Sequence, residues 1–230
     1  MLVCFWSPKG GSGTSVVAGA AAVLLARATP VRAVDCCGDL PAVLGIASDP
    51  HPGVRDWLRA GPQAPTEALD RLAIDVTPGC SLIPAGAPGL AGVQAEAGAA
   101  LAVALQADGR HALCDAGRLD HPALAACAEV ADASVVVLRG CYLALRRAVH
   151  HDAIERATGV ILIDEHGRSL GARDVEDVLG LPVLSTIEVR TATARAVDAG
   201  VLSTRMPDVL HRPLRHALDR LGLFEDERAA

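Results

Sequence analysis

The chain opens on an apolar run, residues 2–6, that breaks off at Ser7 and Pro8 into a glycine-rich turn, after which residues 16–27 are alanine-rich and helix-prone. A second apolar run at 31–34 ends on Asp35, and the interval between the two runs is the length of one right-handed crossover helix. Residues 38–65 are rich in Pro and Gly with short amphipathic pieces, notably 54–58, and read as an elaborated surface connection. From there, strand-like runs at 81–84, 112–114, 134–138, 160–163 and 183–187 alternate with helical patterns at 92–106, 122–130, 143–157 and 172–179. Helices at 191–198 and 207–221 follow, and the 112–114 strand ends on Asp115. This rhythm predicts one α/β domain over 1–230, a doubly wound, mostly parallel sheet with helices on both faces in three layers. A charged, frayed tail is expected at 225–230.

Composition sharpens this picture. Apolar residues make up 51% of the 230 and aromatic ones only 2%, so the core must be filled by Ala, Val, Leu and Ile, as in strands covered on both faces. A net charge of −6 opposes broad affinity for nucleic acid, although Arg139, Arg146, Arg147 and Arg156 fall close together in the sequence. The seven cysteines include no C-x-x-C pair, and neither a leader peptide nor an apolar run of transmembrane length is present, so free thiols in the cytoplasm are expected. Cys36 and Cys37 read as two small buried or partly buried residues. His150 and His151 are adjacent, which on a helix points them about 100° apart and away from a shared metal. Near the C-terminus Leu214, Leu218, Leu221, Leu223 and Phe224 alternate with arginines, but Glu225, Asp226 and Glu227 follow. Packing on the domain, rather than intrinsic membrane association, is the expected fate of that segment.

Candidate chemistry centres on the first turn. Twenty of the 21 basic residues are Arg, and the sole lysine, Lys9, sits in the glycine-rich loop. A strand that runs into glycines and then into a helix aims backbone N–H groups and the positive helix end at one point, the geometry that binds phosphate. Lys9, Gly10, Gly11, Ser12, Gly13, Thr14 and Ser15 are therefore candidate phosphate-binding residues. Asp35 and Asp115 join them from strand ends, with Ser15 and Asp115 as candidate Mg²⁺ ligands. Against the ordinary loop G-x-x-x-x-G-K-[ST], Pro8 stands at the first glycine and Thr14 at the lysine.

Lys9-Gly10-Gly11-Ser12-Gly13 resembles the deviant Walker A loop of the MinD/ParA family, K-G-G-x-G-K-[ST]. Ala33-Val34-Asp35 resembles that family's second-strand motif, Cys114-Asp115 its Walker B strand end, and residues 182–184 and 196–200 its last strand and following helix. Residues 38–45 are similar to the CpaE/TadZ branch and to septum-site-determining relatives. The resemblance implies ATP or ADP with Mg²⁺, a homodimer in which Lys9 reaches the partner's phosphates, and protein partners in a pilus-assembly or division machine. It also implies that the family's catalytic Lys and second Asp are replaced, by Thr14 and Cys37, and that Glu188 stands where a Pro commonly follows the last strand's Ile187. Losing one group aimed at developing charge costs on the order of 3–4 kcal/mol. No catalytic residue is assigned, and a positioning pseudo-ATPase is expected. One alternative is a slow but active ATPase in which Lys9 compensates for Thr14; another is a small-molecule synthetase on the related fold. The Lys9 ammonium is expected to point into the cleft formed by Asp35, Asp115 and the loop.

Overall fold

Complete burial of the first strand, β1 (Leu2–Trp6), places it at the centre of the molecule. Its side chains alternate between two apolar layers: Leu2, Cys4 and Trp6 enter one, Val3 and Phe5 the other. The computed structural model describes residues 1–224; the tail expected at 225–230 lies outside the described residues. The other strands are β2 (Val31–Asp35), β3 (Ile74–Thr77), β4 (Cys80–Ile83), β5 (His111–Gly117), β6 (Ala133–Arg139), β7 (Gly159–Asp164) and β8 (Val183–Glu188). They form one sheet in the order β3-β4-β2-β5-β1-β6-β7-β8, parallel throughout except for the β3–β4 hairpin. The doubly wound, mostly parallel architecture is therefore as the sequence pattern predicts.

Among the described residues ten α-helices cover the sheet: α1 (Thr14–Leu25), α2 (Leu40–Leu44), α3 (Val54–Arg59), α4 (Glu67–Leu72), α5 (Ala95–Ala107), α6 (Pro122–Val130), α7 (Tyr142–Val149), α8 (Ala172–Leu179), α9 (Thr191–Asp198) and α10 (Asp208–Arg220). Helices α1, α2, α9 and α10 contribute to the layer that receives Val3 and Phe5, whereas α3 to α8 contribute to the opposite one. The apolar stripe of α10 (Leu210, Leu214, Ala217, Leu218) is buried, and the helix packs on α1 and β8. No helix among the described residues is long and apolar enough to cross a membrane.

Three elements differ from the sequence reading. The helix expected over 143–157 stops at Val149, because the His151 ring accepts the Ala153 N–H and starts a separate 3-10 turn at Asp152–Arg156. The 38–65 connection contains α2 as well as α3, and α4 follows it. β3, which the sequence reading left without structure, forms the antiparallel edge by pairing with β4.

Candidate functional site

The phosphate loop leaves the centre of the sheet. Ser7 N–H donates to Gly117 O at 2.7 Å, tying the end of β1 to the end of β5. The Ser7 and Ser12 hydroxyls both donate to Lys9 O, at 2.5 and 2.7 Å, so these side chains hold the loop's shape. Gly11 and Gly13 have φ of 75° and 86°, the left-handed region that glycine adopts without strain. The space where their side chains would begin is open to 4 Å, and such an uncrowded backbone cradle fits a phosphate. Thr14 and Ser15 form the first turn of α1, as the loop-to-helix reading predicts.

A cleft of about 920 Å³ runs along one side of this loop, lined by Gly10 to Val16, Cys37, Asp39, Arg55 and Arg118 among others. A smaller apolar cavity of about 280 Å³ opens on the other side of the same glycines, between Val16, Ile187, Val189, Val197 and Leu210. The loop therefore lies between a larger cleft that carries Arg55 and Arg118 and a smaller, more apolar recess.

Asp115 is fully buried at the foot of the loop. One of its oxygens accepts Gly117 N–H at 3.2 Å, while Oδ2 has no hydrogen-bond partner in the protein. Burial pushes its pKa up to about 6; the neighbouring Ser15 hydroxyl opposes that shift and the Asp35 carboxylate reinforces it. A buried carboxylate oxygen without a donor, beside a hydroxyl, fits a hydrated Mg²⁺ ion.

Asp35 is the register partner of Asp115 on β2, yet it is engaged differently. Its oxygens accept from Cys37 N, Gly38 N and Leu40 N at 2.9, 2.7 and 3.2 Å, ordering the turn into α2. It faces a separate cavity of about 230 Å³ beside Gly38, His51 and Arg55. Burial raises its pKa, and the Gly38, Cys37 and Leu40 amides counteract the rise.

Lys9 departs from expectation. Its ammonium donates to the neighbouring Gly10 O at 3.4 Å and pairs with no carboxylate among the described residues. The charge on Asp35 and Asp115 is thus not neutralised by Lys9, because the loop turns this side chain outward.

Sequence reasoning passed over the cleft's two cations, both arginines. Arg118, three residues past Asp115, runs alongside the loop with its Cδ 3.6 Å from where a Gly10 side chain would begin, and pairs with Asp120. Arg55 donates twice to Cys36 O, at 3.1 and 3.0 Å, which fixes it over the end of β2. The available signal for Arg118 was its place just beyond a parallel strand's carboxyl end, where ligands bind in such sheets. Cys37, in the position that resembles the family's second Asp, packs against Gly117 and remains a neutral thiol, its pKa raised first by burial and then by Asp115.

Of the basic cluster, Arg139 pairs with Glu165 and Arg156 with Glu129, which leaves Arg146 and Arg147 exposed on α7. His151 packs on Trp6 with tilted rings whose centroids are 4.5 Å apart, whereas His150 is exposed.

A central parallel sheet, a glycine loop running into a helix and a buried Asp at the neighbouring strand end define an α/β fold of the P-loop NTPase type. Among solved structures the chain is similar to a ParA family ATPase from Chlorobium tepidum TLS, with 22% identity, 94% of this chain and 97% of that one covered, and a TM-score of 0.77. It is also similar to the septum site-determining protein MinD complexed with Mg-ADP from Pyrococcus horikoshii OT3, with 17% identity, coverage of 96% and 95%, and a TM-score of 0.79. A third likeness is to the MinC:MinD cell division protein complex from Aquifex aeolicus, with 16% identity, coverage of 96% and 95%, and a TM-score of 0.77. The fold is that of the MinD/ParA ATPases. The sequence matches no protein-family model and no curated protein.

Proposed function

We propose that this chain is a MinD/ParA-like positioning protein that binds ATP or ADP with Mg²⁺ and hydrolyses it slowly or not at all. The observation that carries the reading is the unpartnered, buried Oδ2 of Asp115 beside Ser15, at the foot of a glycine cradle that is open. Gly10 to Ser15 would hold the phosphates, Ser15 and Asp115 the metal, and Arg118 and Arg55 would supply the positive charge that Thr14 does not. Bound Mg²⁺ would neutralise phosphate charge. The apolar recess at Ile187 and Val189 is the natural place for a base, since Glu188 at its rim pairs with Arg190.

Slow turnover follows from chemistry. Thr14 carries no charge toward a transferring phosphoryl group, and the Cys37 thiol has no carboxylate with which to orient water. One of the solved relatives is a septum site-determining protein and another a complex of MinC with MinD. By analogy with them this protein would act as a homodimer that marks a division site, and the likeness of residues 38–45 to the CpaE/TadZ branch adds a pilus-assembly machine as the other candidate. Seven free cysteines suit a reducing cytoplasm.

The test is calorimetric titration with ATP and ADP, with and without Mg²⁺, alongside a phosphate-release assay. Binding with turnover far below roughly 1 per second is expected. Arg118→Ala should weaken binding about tenfold, the loss of one charge-assisted contact. Turnover at ordinary enzymatic rates, or failure to bind nucleotide, would overturn the reading.

A further inference from the structure

Four of the seven cysteines come together beneath the cleft, in a layer the nucleotide reading does not use. Cys4 on β1 is the register partner of Cys114 on β5. Val34 on β2 also opposes Cys114, and Cys36 follows two residues later on the same face. From above, α6 brings down Cys127. The sulfurs of Cys4, Cys114 and Cys127 all lie within 4.8 Å of one another, and Cys36 Sγ is 3.5 Å from Cys114 Sγ. All four residues are at most 2% exposed, and none is in a disulfide.

We propose that these four sulfurs form a structural zinc site, with Cys4, Cys114 and Cys127 as thiolate ligands and Cys36 as a fourth that closes the coordination shell. A tetrahedral Zn²⁺ with Zn–S bonds of about 2.3 Å places its sulfurs about 3.8 Å apart, close to the 3.5 Å between Cys36 and Cys114 and within the 4.8 Å that bounds the other three. Rotation about the cysteine χ1 angles would bring Cys4, Cys114 and Cys127 onto the ion, and Cys36, which approaches only Cys114 closely here, would turn in to join them. Two rival readings account for less. Cysteine is often a small core hydrophobe, but three strands and a helix converging on sulfur at one point is the arrangement a thiophilic ion needs. A Cys36–Cys114 disulfide would require its sulfurs to close to about 2.05 Å and would leave Cys4 and Cys127 without a role.

Each thiol that becomes a thiolate ligand gives up one proton, so loading of four thiols releases about four protons per ion and depends on pH. Four thiolates on the ion leave a net charge of about −2, half of what the same thiolates would carry without it. Cys36 lines the cleft above while the other three lie behind it, and a bound ion would act as a tie between β1, the end of β2, β5 and α6.

The experiment uses the full chain, purified without chelator. Metal analysis of the wild type should find about one zinc per chain. Unfolding and refolding with Co²⁺ should give the strong visible bands of tetrahedral thiolate-bound cobalt together with a near-ultraviolet sulfur-to-cobalt band. Cys127→Ser should lose the metal and the bands, whereas Cys141→Ser, outside the cluster, should keep both. Wild-type protein that folds without zinc and shows no thiolate bands with Co²⁺ would overturn the proposal whatever the variants do. So would an intact mass lighter by two hydrogens with no metal, which would assign the pair Cys36–Cys114 to a disulfide.

Discussion

Asp115 is a carboxyl group that the fold holds against its preference. In the folded chain its pKa rises from the ordinary 3.8 to about 6, so its ionised form is penalised relative to the unfolded state. The sign is therefore the reverse of an ion-paired carboxylate: above pH 6 the group costs the fold about 3 kcal/mol, and the cost fades as pH falls toward 4. The metal-free protein should accordingly gain melting temperature on going from pH 8 to pH 5. Asp115→Asn should be more stable than wild type at pH 8 and should show a smaller gain. Equal pH dependence in the two proteins would mean that the buried carboxylate is not the group that titrates. Asp115 was legible as a functional candidate from its place at a strand end, but its one unpartnered oxygen, Oδ2, was not, since that depends on where Gly117 and Ser15 fall in space. The thiol cluster was invisible for the same reason: positions 4, 36, 114 and 127 have no spacing that a motif could record.

At the level of elements, local pattern sufficed where a segment was long and periodic. β1, α1, β5 and α6 lie where the apolar runs place them, because their neighbours bury what the pattern marks as apolar. It failed where tertiary pairing decides. β3 has only four residues, one of them an exposed Asp75, and becomes a strand by pairing with β4. The expected long helix after β6 divides because the His151 ring offers the chain a better local partner than another helical turn. The close crossing of α5 and α6 gives a prediction in which local and tertiary effects have opposite signs. Propensity alone says that Gly98→Ala within α5 should stabilise by about 1 kcal/mol. A side chain there would begin 1.7 Å from Ala123 O on α6, and backbone cannot rotate aside as a side chain can. Overpacking of this kind costs about 3 kcal/mol. The urea midpoint of Gly98→Ala should therefore fall, with the slope of the transition unchanged.

For the molecule as a whole, the outward turn of Lys9 separates what the loop does within one chain from what it offers to another. Its side chain contributes almost nothing to the fold, so Lys9→Ala should melt within about 2 °C of wild type. If the proposed homodimer uses this ammonium across its interface, the variant should lose association driven by Mg-ATP in sedimentation while keeping most of its affinity as a monomer. A variant that associates as well as wild type would remove Lys9 from the interface. The two ends of the sheet carry a further consequence. On one side the four-residue β3 closes the parallel array with a short, charged antiparallel strand. On the other, Val183 at the start of β8 has its N–H taken by Glu176 at 2.8 Å and its carbonyl by Arg220 at 2.6 Å. The shortness of β3 and the capped start of β8 reduce the free backbone that either edge offers as a template for strand addition, which guards a chain that is half apolar against growth into cross-β aggregates.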